Sequence, residues 1–517
     1  MPESMHSIRR VDSVIVAEEH NKHIIQAPTF TWPVIRHYFA TRISSLWVGK
    51  EELSQHSWNE ILNPFQPLVH VNLHQWNFFF IGFLAWTWDA FDFFTTSLNV
   101  SNIAREFDVT VTEVSWGMTI VLMLRTVGAL IFGAMGDLKG RKWPYMINLS
   151  LLVVIQCGTG FVQTFQQFLV TRALFGIAMG GLYGISCAEA LSDAPVAARG
   201  VLSGLFQEGY AMGFLLAIVF QRAITDTTPH GWRSLFWFSA GPPVVLIIWR
   251  FFTPETDTFQ HIAAKRAVDD QKQSRFANFK FDAKNAIKDY WLIIIYLVFM
   301  MSGFNFSSHG SQDLYATLLE QQYFFGADKR TVVLVCAKLG ALTGGIIIGH
   351  ASTIIGRRTA ILFANLWCLS FIYLWAYKPS WITAFMLQFG VQGAWAVVPI
   401  HLSELSPPQF RAFVMGVSYQ LGNLVSSASA TIESTLSEKF LLPDGSHDYS
   451  KSMSIFVAVL VAYLFFVVLL GPENRNADLG IEREEFFAVF DDKDESTKGS
   501  FDHVEDEDKQ KSASEKV

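Results

Sequence analysis

The chain has 517 residues, of which 51% are hydrophobic and 15% aromatic, while charged residues make up only 16%. Soluble domains carry about 25% charged residues, so this composition excludes an ordinary soluble fold. The net charge of −7 is dominated by the acidic stretch DDKDESTKGSFDHVEDEDKQKSASEKV at the C-terminus, and no basic surface for a nucleic acid is expected.

Residues 1–75 open MPESMHSIRRVDS and stay polar, without the apolar core of a cleaved signal peptide, so they read as an N-terminal tail. Apolar spans follow near 76–98, 113–134, 143–163, 167–190, 200–222 and 233–253. After a polar linker at 254–289 a second set falls near 290–316, 330–350, 358–378, 381–402, 412–433 and 453–471. A run of about 18 or more apolar residues spans a hydrocarbon core about 30 Å thick. The chain therefore reads as an all-α membrane protein of about twelve transmembrane helices, in two six-helix halves at 76–253 and 290–471. The tail at 472–517 is low in complexity and is expected to be disordered. Its lysines and serines are candidate targets of regulatory machinery. Cys157, Cys187, Cys336 and Cys368 lie in apolar segments without metal-ligand spacing and read as small hydrophobes.

Lys139, Arg141, Lys142, Arg199, Arg357, Arg358 and Arg411 cluster after the second, fourth, eighth and tenth spans. The positive-inside rule makes that side cytoplasmic, with the linker and both tails. The halves also repeat: Gly133-Ala-Met-Gly-Asp137-Leu-Lys-Gly140-Arg141-Lys142 aligns with Gly349-His-Ala-Ser-Thr353-Ile-Ile-Gly356-Arg357-Arg358, and Glu189 and Arg199 align with Glu404 and Arg411. Paired repeats around a midplane site are a transporter architecture. Asp137, Arg141, Glu189, Arg199, Arg357, Glu404 and Arg411 are the candidate gating residues. Thr353 stands where the first copy has Asp137, so no gate using that acid is expected in the second half.

Ionisable groups inside spans are costly unless they face protein or water, which makes each a candidate site. Asp89 and Asp92 sit i, i+3 in the first span, can face one cavity, and are candidate proton sites or partners for cations. Arg125 is the isolated cation of VSWGMTIVLMLRTVGALIFG, and its planar fork suits a carboxylate. Pairing with Asp89 or Asp92 is its structural alternative. Gln207 and Glu208, Lys338, and Gln420 with Asn423 are further polar positions, serving either substrate selection or helix–helix hydrogen bonds. In the seventh span Asn305, Ser308, His309, Gln312 and Asp313 fall on one helical stripe, and Asn305, His309, Asp313 and Thr317 are successive i, i+4 neighbours. His309 titrates near physiological pH, and Asp313 can share its proton. No phosphate-cradling glycine loop supports ATP-driven transport, and no catalytic constellation points to an enzyme.

The first loop motif resembles the signature of the major facilitator superfamily, and Arg172-Ala-Leu-Phe-Gly176-Ile-Ala-Met-Gly180 resembles its fourth-span motif. The seventh-span string resembles the N-x-x-[ST]-H-x-[ST]-Q-D-x-x-x-T signature of the fungal Jen family of carboxylate permeases, met at Asn305, Ser308, His309, Ser311, Gln312, Asp313 and Thr317. The resemblance implies a plasma-membrane, proton-coupled importer of small carboxylates such as lactate, pyruvate and acetate, or malate and succinate. Its partners would be the substrate, protons and the lipid bilayer, with protons as the coupling ion and no other cofactor. It also implies a substrate-binding role for the second-span arginine, here Arg125. A carrier for another organic acid, sialic or aromatic, and a non-transporting nutrient sensor are the alternatives.

Overall fold

The computed structural model describes residues 32–48, 62–109, 111–225, 227–257, 259–260, 275–406, 411–443 and 445–475. The acidic tail from 476 onward, residues 1–31 and most of the linker lie outside these, and with them the regulatory sites expected there.

Among the described residues, twelve helical segments build the two halves and are numbered α1 to α12. The first half holds α1 (Leu73–Leu98), α2 (Val111–Lys139), α3 (Lys142–Thr159), α4 (Phe165–Leu191), α5 (Arg199–Thr225) and α6 (Trp232–Phe252). The second holds α7 (Tyr290–Gln322), α8 (Ala327–Ile355), α9 (Arg357–Tyr377), α10 (Trp381–Leu405), α11 (Arg411–Ser426) and α12 (Tyr449–Leu470). Nine of them are long and apolar enough to cross a membrane among the described residues. The exceptions, α1, α3 and α11, each carry buried polar groups, among them Asp89, Gln156 and Gln420.

Helix starts follow their capping residues. Asn72 Oδ1 accepts from the Gln75 backbone N–H at 2.8 Å while Gln75 Oε1 accepts from that of Asn72 at 3.0 Å, a reciprocal capping box that fixes the start of α1. Ser380 and Thr383 repeat the arrangement at α10. The sequence repeat has a backbone counterpart: Gly140 and Gly356, between α2 and α3 and between α8 and α9, hold φ of +87° and +100°. That region is costly for residues with a Cβ.

The halves meet on the linker side. A Cβ added at Gly133 would lie 2.8 Å from Phe413 Cα, and one at Gly200 2.3 Å from the Gly349 carbonyl oxygen. Ser203 Oγ donates to the Ala396 carbonyl at 2.6 Å and accepts from the Ile400 N–H at 3.1 Å. The two halves thus touch backbone to backbone at that end, while Asp313, towards the other end of α7, is exposed.

Two helices lie wholly or partly outside the spans expected from hydropathy. The helix leading into α7 begins at Arg275, inside the segment read as linker. The polar N-terminal stretch also contains a helix, Trp32–Ser44, docked on the second half: Tyr38 Oη donates to the Leu470 carbonyl at 2.8 Å, Arg42 to that of Gly471 at 3.0 Å, and Arg358 to Ser45 Oγ at 3.0 Å. Long-range polar docking of this kind leaves no hydrophobic periodicity in the sequence.

Candidate substrate and ion site

The glycines of α4 place the arginine of α2. A Cβ at Gly180 would lie 1.8 Å from the Arg125 carbonyl oxygen, and one at Gly176 2.7 Å from that of Val121. Close helix approach through small residues therefore occurs at the turn that carries Arg125. Its side chain is 2% exposed, and Nε and Nη2 have no hydrogen-bond partner. It lies within electrostatic reach of Asp89 on α1, Tyr210 on α5, His309 on α7 and Tyr419 on α11. The two unpaired nitrogens form a donor fork whose geometry matches a carboxylate.

Asp89 and Asp92 do not share one environment. Asp89, 1% exposed and without hydrogen-bond partners, faces Arg125. Asp92 faces the other way, with Arg172 of α4 as its neighbouring cation. Arg172 itself donates to Gln156 Oε1 at 2.7 Å and Thr159 Oγ1 at 2.8 Å, inside the first half. The offset of roughly 60° between positions three apart on a helix is enough to separate them here, because α1 is packed on both sides.

On α7 the polar stripe divides. His309 Nδ1 lies 3.1 Å from Asp313 Oδ2, an i, i+4 pair near the open side. Ser308 Oγ accepts from Gln312 Nε2 at 2.9 Å, and Lys338 Nζ of α8 donates to Gln312 Oε1 at 2.5 Å. This supplies the partner that sequence left unnamed for Lys338. Lys338 also faces Glu208 and Asp313. Ser311 turns away and meets Gln388 Nε2 of α10 at 3.2 Å. Asn305 Nδ2 donates to the Met301 carbonyl of its own helix at 2.9 Å, against Gly422 of α11. The α-helix ends at Gln312, so Thr317 falls beyond a turn at Asp313 and Leu314 and does not continue the i, i+4 series.

Gln420 and Asn423 serve helix contacts. Asn423 Nδ2 donates to Gln420 Oε1 at 3.0 Å, and Gln420 Nε2 reaches the Gly180 carbonyl across the halves at 3.5 Å.

Beside Arg125 lies an aromatic cluster that sequence reading missed. Tyr183 of α4 stacks on Tyr419 of α11 with ring centroids 3.8 Å apart, and Trp86 of α1 lies 5.0 Å from Tyr183 and 5.5 Å from Tyr210. The Tyr183 hydroxyl and the Trp86 indole nitrogen are buried without partners. These rings come from four helices, and no spacing along one helix brings them together.

The gating candidates cluster on the linker side. Asp137 of α2 accepts from the backbone N–H of Ala412 at 3.3 Å and of Phe413 at 2.9 Å, capping the first turn of α11 from the opposite half. Arg357 clamps Glu404 through Nε at 3.0 Å and Nη2 at 2.9 Å, and its Nη1 reaches Thr353 Oγ1 at 3.1 Å. The first half departs from that pattern. Arg141 Nη1 donates to the Ala188 carbonyl at 2.9 Å and Ser192 Oγ at 2.7 Å, while Glu189 pairs at 2.8 Å with Arg250 of α6, which the repeat did not mark. Arg199 Nε and Arg411 Nε donate to nearby carbonyls, of Ala194 at 3.0 Å and Ser403 at 3.3 Å.

This fold, with buried charged groups facing one another across two helical halves, defines a major facilitator carrier. Among solved structures the chain resembles the proton:xylose symporter XylE at a TM-score of 0.62 with 16% identity, over 80% of this chain and 99% of that one. It also resembles the human organic anion transporter MFSD10 at 0.56 with 14% identity, over 77% and 99%. At these identities the likeness concerns the fold alone. The family model described as sugar (and other) transporter matches residues 68–291. The carboxylic acid transporter protein homolog of Saccharomyces cerevisiae is 38% identical over 493 residues, 91% of this chain and 79% of the relative. The cis,cis-muconate transport protein of Acinetobacter baylyi is 25% identical over 372 residues, 70% and 88% of the two chains. The chain belongs to the Jen-type carboxylate permease family of the major facilitator superfamily.

Proposed function

We propose that this protein is a proton-coupled symporter that carries small carboxylates across the plasma membrane into the cell, with the linker and both termini cytoplasmic. One observation carries the reading: Arg125 is buried between the halves with two guanidinium nitrogens unpaired. A substrate carboxylate satisfies both through a fork-to-fork contact. The relatives' names, a carboxylic acid transporter homolog and a muconate carrier, support the same substrate chemistry.

Moving an anion into a negative-inside cell opposes about 2.3 kcal/mol per charge per 100 mV. A co-transported proton cancels that term for a monocarboxylate. Asp89 gives the coupling a route, because it faces Arg125 without bonding it, and its carboxylate would repel a substrate carboxylate held there. Protonating Asp89 removes that repulsion and leaves the guanidinium charge to the substrate. His309 and Asp313, at the open side, receive the proton, while Gln312 and Lys338 orient the distal end of the substrate.

With contact on the linker side and Asp313 exposed at the opposite side, this conformation corresponds to an outward-facing carrier. Rocking of the halves would then break the Asp137 cap and expose the site inward. A second reading, a larger unsaturated or aromatic acid, is favoured by the ring cluster of Trp86, Tyr183, Tyr210 and Tyr419.

The test is uptake of labelled lactate and labelled succinate, separately, into carrier-deficient yeast at two external pH values. Acid-stimulated entry of either label supports the reading. Entry of neither, with surface expression verified and with muconate or an aromatic acid entering instead, transfers the assignment to the larger acids.

A further inference from the structure

The helix that continues α11, Ser429–Lys439, carries a carboxyl group the reading above does not use. Glu433 is 0% exposed, and neither of its side-chain oxygens has a hydrogen-bond partner. It sits against α7 at the residue that follows His309: a Cβ added at Gly310 would lie 3.3 Å from Glu433 Oε1. The missing side chain at Gly310 therefore lets the carboxyl approach the helix face directly. From α7 the charged group in reach is Asp313, itself bonded to His309. From α12 the neighbour at Gly310 is Phe456, whose ring brings no charge.

An ionised carboxylate in such a place faces a like charge, and no cation near it among the described residues repays its desolvation of several kcal/mol. A proton on Glu433 removes that cost. Ionisation, conversely, would drive this part of α11 away from α7.

We propose that Glu433 completes the proton site of this carrier with His309 and Asp313. The three groups share one transported proton, which enters through exposed Asp313, rests on Glu433, and returns through Asp313 and His309 to the substrate path once the halves have rocked. No bond other than O–H and N–H forms or breaks, and the site regains its starting charge when the proton leaves. This inference rests on the symport reading for its role in transport, but the proton on Glu433 is measurable without any substrate.

The experiment compares purified full-length protein with Glu433→Gln and Glu433→Asp. Infrared difference spectra should show a protonated-carboxyl C=O band in the parent that is missing in Glu433→Gln. In vesicles, Glu433→Gln should lose gradient-driven accumulation at least tenfold. Glu433→Asp, which keeps a titratable group, should retain accumulation with a displaced pH midpoint. Wild-type pH dependence in Glu433→Gln, or an unchanged carboxyl band, overturns the proposal. So does equal loss in both variants alongside a lowered Tm, since that marks a packing role. If the parent accumulates no carboxylate yet the band is present and removed by Glu433→Gln, the symport reading falls and the proton-holding role of Glu433 stands.

Discussion

Gly180 of α4 leaves no room for a side chain against Arg125 of α2: the nearest atom to an added Cβ is the arginine's own carbonyl oxygen, at 1.8 Å. The glycine motif of the fourth span thus sets the position of the turn that carries Arg125. Gly180→Ala should push α2 aside at the cost of overpacking, about 1–3 kcal/mol, and weaken substrate binding beyond its effect on Tm. Gly158→Ala is the control. Nothing lies within 4 Å of its added Cβ, so Tm should stay level or rise slightly. Thermal unfolding and substrate affinity, measured on the same preparations, check both.

Arg125→Lys keeps the charge and loses the fork. Hydrogen bonds to charged groups contribute about 1.5–3 kcal/mol, so KM for a carboxylate should rise about 10- to 150-fold. Arg125→Ala should abolish uptake while surface delivery continues. An unchanged KM in Arg125→Lys would remove the bidentate anchor.

The seventh-span signature was legible because its residues are contiguous and its helical stripe follows from periodicity alone. His309 and Asp313 do pair as their spacing predicts. Ser311, Thr317 and the split of Asp89 from Asp92 were not legible. They depend on where α7 ends and on how α1 and α7 are rotated against their neighbours, which is set by packing between helices. The partners of Lys338, the stack of Tyr183 on Tyr419 and the position of Glu433 all depend on contacts between different helices, which spacing along one helix does not show. Among the gating candidates, the repeat marked Arg357 and Glu404, which meet. It could not mark Arg250, which has no counterpart in the aligned motif.

Asp137 caps α11 from the opposite half on the linker side. Removing a helix cap costs about 0.5–2 kcal/mol, so Asp137→Ala should shift the balance towards the linker-open state by about 2- to 30-fold. Labelling of a cysteine introduced on the linker side of α5 should accelerate correspondingly. Unaltered labelling would show that the cap does not bias the two states.

Arg357 and Glu404 form a fully buried ion pair, both 0% exposed at the side chain. Breaking such a pair by removing one partner costs about 3–5 kcal/mol. Glu404→Ala should therefore lower Tm sharply or block surface delivery. Replacing both, as Arg357→Met with Glu404→Leu, should restore much of the loss. A double variant as unstable as the sum of the singles would assign the cost to packing, not to the orphaned charge.

The coupling of anion to proton is tested most directly in vesicles containing the purified protein, with an inward proton gradient and labelled lactate or succinate outside. The account predicts accumulation above the external concentration, collapse on adding a protonophore, and no accumulation with Arg125→Ala. Uptake that merely equilibrates, at a rate indifferent to the gradient and to Arg125, would contradict it.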